Sequence, residues 1–158
     1  MKEEKLDESY QEFLTIINPI TTDSRYLELK KFIQHGNTSV YQHSLDVAYH
    51  VFLFIKKHPK MKLRKNELVR AALLHDYFLY DWHDKAKYPR KGLHGFTHPR
   101  VSVKNGVRDF NITKLEQRII RTHMFPLTLF HIPTSREAWI LSLIDKKVAL
   151  KELFKKKK

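Results

Sequence analysis

Apolar residues recur along this chain every three or four positions, the spacing of one face of an α-helix. Leu6, Tyr10, Phe13 and Ile17 define a helix over Glu3 to Ile17, which Pro19 is expected to stop. A short second helix is predicted from Ser24 to Gln34, closed by Gly36. The stretch Asn37 to Ser39 offers caps for a third helix, Val40 to Lys57, ended by Pro59. Between Leu45 and Ile55 this helix is apolar on nearly every side, which predicts a rod in the middle of a bundle. A fourth helix starts near Asn66 and runs to about His75. The fifth is expected to open at Pro99, a residue suited to a first helical position, and to reach Phe110. Thr113 caps a sixth helix that ends near Met124, and Ser135 caps a last one that passes Asp145 and ends near Phe154. Between the fourth and fifth helices, Tyr80 to Thr97 lacks any helical period and reads as a long loop. Such a loop in a compact domain usually has a role, such as forming a binding-site wall. The expectation is an all-α, single-domain helical bundle of about six to seven helices around the third and fourth.

At several places this pattern puts a polar side chain on an apolar face. His43 lies between Val40 and Val47 at helical spacing. His75 and Asp76 end the apolar run Ala71 to Leu74. His123 follows Ile119 and Ile120, and Asp145 stands between Leu141 and Val148. Singly, each has an ordinary explanation, because a core histidine is usually hydrogen-bonded and an inward aspartate usually caps something. Together they pose an electrostatic problem. Two buried carboxylates need positive charge, no buried Arg or Lys is evident among them, and Asp76 sits at the negative pole of its helix. A divalent cation resolves both difficulties.

Composition narrows the cation. The 158 residues contain no cysteine, which excludes disulfides, thiolate chemistry and Cys-based zinc sites, and they contain ten histidines. Nitrogen and oxygen ligands without sulfur suit Fe, Mn, Zn, Co or Ni. The formal net charge is +13, of which the terminal run Lys155 to Lys158 supplies four. Such a balance favours anionic partners: nucleotides, nucleic acid or acidic lipid. The start, MKEEKLDESYQEF, carries early acids and no apolar run, so it does not resemble a signal peptide. No stretch approaches the roughly 18 apolar residues that span a bilayer. A cytoplasmic protein without a membrane partner is expected.

A lone histidine, a His-Asp doublet and a distant aspartate, all on helices, resemble the HD-domain superfamily of metal-dependent phosphohydrolases. The motifs here are VYQHSLDVA with His43, AALLHDY with His75 and Asp76, and LSLIDKKVA with Asp145. The resemblance spans Ser39 to Leu150, leaving a basic C-terminal tail over 155–158. Binuclear members of that superfamily add two histidines between the doublet and the last aspartate. His98 in HGFTHPRVSVKNG and His123 in IIRTHMFPLT match those places. His94 is the other candidate for the first of these, but a His-Pro pair opening a helix is the subgroup's usual form and favours His98. The GYP signature and HDIGK extension of relatives that cleave cyclic dinucleotides are not present in this sequence.

The resemblance implies one or two divalent transition-metal ions per chain. His43, His75, Asp76 and Asp145 would hold the first, and Asp76, His98 and His123 the second, with Asp76 bridging. Asp145 is also a candidate to take a proton from the attacking water. The implied activity is hydrolysis of a phosphate ester or anhydride in a small nucleotide or related phosphorylated molecule. Cations at the rim would bind the phosphate: Arg100, Lys104 and Lys146, with Arg121 also near, and Arg100 foremost because a guanidinium suits bidentate phosphate contact. Alone, each of these is an ordinary surface charge. The aromatic loop would either stack a base, through Trp82, or simply lid the core, with His83 and Asp84 on its surface. His35, His50 and His58 are assigned to helix ends and flanks, and His131 to loop packing. Two other functions share features with this one. Some HD folds use a di-iron pair for oxygenation with an overlapping ligand set. A non-catalytic, metal-stabilised protein that binds nucleic acid is the third, less favoured because the ligands exceed the four of a structural zinc site and no nucleic-acid-binding motif is visible.

Overall fold

A computed structural model of the chain describes residues 2–89 and 91–155; Lys156 to Lys158 of the basic tail and the side chains of Lys2, Glu3 and Leu6 lie outside the description. In chain order the α-helices are α1 (Lys2–Thr21), α2 (Ser24–Leu27), α3 (Val40–Lys57), α4 (Lys65–Leu74), α5 (His94–Phe110), α6 (Lys114–Arg121) and α7 (Arg136–Lys155). The fold is all-α, as the periodicity predicts, with one small antiparallel hairpin of β1 (Ile33–His35) and β2 (Thr38–Ser39). Among the described residues, no helix is long and apolar enough to cross a membrane.

Helix α3 is the pivot. Ser39 caps it by accepting from the Gln42 backbone N–H. Its buried residues, Val40, His43, Ser44, Val47, Ala48, Val51, Phe52 and Ile55, step by three and four along one stripe. That stripe meets α4 and α7. The helix is not buried all round as its composition suggests: Leu53 is 42% exposed, because the neighbouring helices cover one side only. In α4, Leu68, Val69 and every residue from Ala71 to Leu74 are fully buried. Burying Leu73 and Leu74 contributes roughly 1.5–3 kcal/mol each, which fixes the end of α4 and hence the place of the His75–Asp76 doublet.

Several predicted boundaries move. Pro19 does not stop α1, which continues to Thr21. The ring removes one backbone donor, but Ile17 and Ile20 are buried and hold the last turn in place. The predicted second helix breaks after a 3₁₀ turn at Glu28–Lys31, and the hairpin takes over. Gly36 supplies the positive φ that turns it, at 57°. The hairpin ends in a backbone bond from Val40 N–H to the Phe32 carbonyl at 2.8 Å. Helix α5 opens at His94 rather than at Pro99, which lies inside it. Pro99 sacrifices one bond to the first turn, while Thr97 Oγ1 donates to the Leu93 carbonyl at 3.2 Å and helps hold that turn. Helix α6 starts with a capping box between Thr113 and Glu116, but it stops at Arg121 rather than Met124. His123 therefore stands in a turn.

Candidate metal centre

Five elements deliver six side chains to one place. His43 comes from the first turn of α3, His75 and Asp76 from the end of α4, and Asp145 from the middle of α7. His98 comes from α5 and His123 from the turn after α6. All six are buried, the most exposed being Asp145 at 8%. Their donor atoms form two groups, His43–His75–Asp76–Asp145 and Asp76–His98–His123, each within 4.8 Å.

Asp76 belongs to both groups and divides its oxygens between them. Its Oδ2 lies 3.1 Å from His75 Nε2 and 3.5 Å from His43 Nε2. Its Oδ1 lies 3.1 Å from His98 Nε2 and 3.5 Å from His123 Nε2. Asp145 Oδ1 completes the first group, 3.1 Å from His43 Nε2 and 3.2 Å from His75 Nε2. Ligands held about 2.0–2.2 Å from one shared ion sit roughly 3.0–3.5 Å from each other. These separations therefore match the edges of coordination polyhedra.

The outer ring nitrogens fix which way the inner ones face. His75 Nδ1–H donates to the Ala72 carbonyl at 2.6 Å, His98 Nδ1–H to the His94 carbonyl at 2.8 Å, and His123 Nδ1–H to the Ile120 carbonyl at 2.6 Å. His43 Nδ1 lies 2.9 Å from Glu152 Oε2. A carbonyl can only accept, so each of the first three rings carries a hydrogen on Nδ1 and, in its neutral form, presents Nε2 inward as a lone pair. Two of those lone pairs, on His98 and His123, lie 2.9 Å apart. His75 Nε2 is buried without a properly directed hydrogen bond, although two carboxylates stand beside it. Lone pairs aimed at each other and at carboxylates repel unless a cation sits among them. Ring N–H groups bound outward with Nε2 inward are the usual arrangement of metal-ligating histidines. The donor set thus fits a divalent ion such as Fe, Mn, Zn, Co or Ni.

Without an ion, protons on the inner nitrogens stand in for its charge. Burial alone would raise the Asp76 pKa, but the His75 charge and hydrogen bonds from His123, His75 and His98 hold it well below the usual carboxylate range. Asp145 is likewise depressed against its burial, by the His75 charge and the His43 bond. Burial opposes a proton on His43, yet Asp145 and Glu152 outweigh it and lift the ring to about 9. His75 is raised well above its ordinary value despite burial, by Asp76 and Asp145. His123 goes the other way, pushed down chiefly by burial. The first group therefore draws positive charge onto its nitrogens, and His123 in the second stays neutral.

A cavity of about 300 Å³ opens onto the donors, walled among others by Gln34, His35, Trp82, His94, Met124 and Lys146. His94 is not one of the clustered donors. Its Nδ1 takes the hydrogen bond of the Tyr80 hydroxyl at 2.7 Å, a phenol whose pKa burial pushes well above its ordinary value. Its ring stacks on His98 at 4.4 Å and on Trp82 at 5.1 Å. The structure brings His98, not His94, to Asp76. Trp82 also packs on His83, so its faces are engaged by protein rings; its Nε1 is buried without a partner.

Of the predicted phosphate-binding cations, Lys146 lines this cavity, with Nζ donating to the His123 carbonyl at 2.9 Å and to Ser142 Oγ at 2.8 Å. Arg100 and Lys104 do not line it. Both are exposed on α5, two and six residues beyond His98, and at about 100° per residue they emerge on other faces of the helix. Arg100 lines a separate cavity. His50 and His58 bond their own helix, at the Asp46 and Phe54 carbonyls, as their flanking positions suggest. His35 is a correction: it reaches the cavity wall, with its ring 5.8 Å from that of His43.

Two contributors escaped the sequence. Gln34 is buried, donates from Nε2 to Asp76 Oδ2 at 2.9 Å, and leaves its Oε1 without a partner. It arrives on β1, a strand that helical periodicity hid. Glu152 backs His43 from α7, and its signal was present: it stands two helical turns after Asp145, on the same face.

Compared with curated proteins and with solved structures, the chain finds no match. The family model for the HD domain matches residues 40–150. That span begins with α3 and ends within α7, so it contains the doublet and every clustered donor, and the chain belongs to the HD-domain family, within the superfamily of metal-dependent phosphohydrolases.

Proposed function

We propose that the protein hydrolyses a phosphate ester or anhydride in a small nucleotide or related phosphorylated molecule, using two divalent ions that the donor groups sharing Asp76 would hold. The observation that carries this is the division of the Asp76 carboxylate, with each oxygen facing a separate set of inward Nε2 atoms. His43, His75, Asp76 and Asp145 would hold one ion; Asp76, His98 and His123 would hold the other. When bound, such ions lower the pKa of water toward about 7 and neutralise charge that develops on phosphoryl oxygens.

The chain's own groups do the rest. Gln34 Nε2 pins Asp76 Oδ2, and its free Oε1 is an acceptor for the attacking water or a substrate hydroxyl. Asp145 lines the cavity and is placed to take the water's proton. Attack then forms one P–O bond and breaks another, and the leaving oxygen gains a proton. Lys146 steadies the His123 backbone and adds positive charge at the cavity edge. Trp82 offers an N–H to a ligand rather than a stacking face. A cavity near 300 Å³ suits a small substrate.

The test is phosphate release from a panel of nucleotides and phosphate esters, with and without Mn²⁺, on protein whose metal content has been measured. Metal-dependent release from at least one compound is expected. Fully loaded protein that releases none, yet shows a visible absorption band under air, would favour di-iron oxygenation. Loaded and inactive protein that holds oligonucleotides at high salt would favour the nucleic-acid function.

A further inference from the structure

Helix α5 serves two cavities. Gly95 and His98 face the metal centre, while Phe96, Thr97, Pro99 and Arg100 line a second cavity of about 570 Å³. Lys91, Arg121, Thr128 and His131 complete that second wall. Lys91, Arg100 and Arg121 all line it, and no acid is among the described lining residues. Thr128 is 7% exposed, and its Oγ1 is buried without a hydrogen-bond partner. Phe96 shows a half-exposed ring on the same wall.

We infer that this cavity is a second binding site, separate from the metal centre, for a phosphate-bearing small molecule with a planar or apolar part. Lys91 and Arg100 bring positive charge to this space, which favours an anionic ligand. The guanidiniums suit two-pronged contact with phosphoryl oxygens. Thr128 Oγ1 supplies a hydrogen bond that the protein leaves unused. Phe96 and Pro99 supply an apolar surface for the carbon portion of the ligand. The volume lies in the range of small-molecule sites. None of these residues is a clustered metal donor. Arg100, foremost among the predicted phosphate ligands, thus acts at this site rather than at the metals.

The probe is phenylphosphonate, which carries a planar ring and an anionic phosphoryl group and has no ester bond to cleave. It is titrated into the full-length protein while backbone amides are followed by ¹⁵N NMR. Saturable shifts are expected at Phe96, Thr97, Arg100, Thr128 and His131. A Lys91→Ala/Arg100→Gln double variant should bind roughly tenfold or more weakly, having lost charge-assisted bonds. Both residues are exposed, so the fold should persist, as an otherwise unchanged spectrum would show. Thr128→Val should weaken binding several-fold. Shifts centred on Asp76, His98 and His123, or equal affinity in the double variant, would overturn the assignment.

Discussion

The two donor groups that meet at Asp76 are built from different material. The first draws on long core helices, α3 and α7, and the buried end of α4; it contains two carboxylates and is backed by a third, Glu152. The second stands on the start of α5 and a turn after α6, and its histidines are backed only by backbone carbonyls. It has one carboxylate oxygen to share, and burial keeps His123 neutral. The contrast teaches that negative charge and rigidity are concentrated in one half of the site. Under the proposed two-ion function, the first group should hold its ion firmly and the second should exchange its ion more readily.

The largest break would come from Asp76→Asn, which removes the charge both groups share. Phosphate release should fall on the order of 10³-fold, a loss of several kcal/mol of transition-state stabilisation, with ion content dropping in elemental analysis. Next, His123→Ala should lower the stoichiometry by one ion and leave the other bound, whereas His43→Ala should deplete both; equal losses from the two would erase the asymmetry. Glu152→Gln is expected to weaken metal affinity by roughly 10–100-fold through the backing of His43, measurable by competition with a chelator, while full loading returns at saturating metal.

Acidity sharpens the comparison further. The ion-free first group holds a proton on His43 below about 9, where Asp145 and Glu152 have raised its pKa against burial. An ion must displace that proton, so affinity rises with pH up to about 9 and falls as the medium is acidified. Calorimetry in buffers of different ionisation enthalpy should detect proton release on binding, and a release of none would contradict the placement of His43. The smallest effect belongs to His50→Ala. His50 bonds its own helix, and its loss should change neither ion content nor activity, with stability shifting by roughly 1 kcal/mol or less.

Much of this site was legible beforehand because burial and charge conflict locally. His43, His75, Asp76, His123 and Asp145 each interrupt an apolar helical stripe, and the structure clusters all five together with His98. Arg100 and Lys104 were harder. Nearness to His98 in sequence suggested nearness in space, but the helical rotation carries them elsewhere. Gln34 and His35 were invisible for another reason: the segment has helical composition, and only its pairing with Thr38–Ser39 makes it a strand.

The sequence by itself determined the helical class, the caps of α3 and α6, and the polar residues that the core must accommodate, because period and capping are properties of neighbouring residues. Tertiary structure alone decided how the donors divide into two groups that share Asp76, why His98 rather than His94 joins them, and where the cations fall. Those outcomes depend on the angle at which each helix arrives, and that angle is set by packing between segments far apart in the chain.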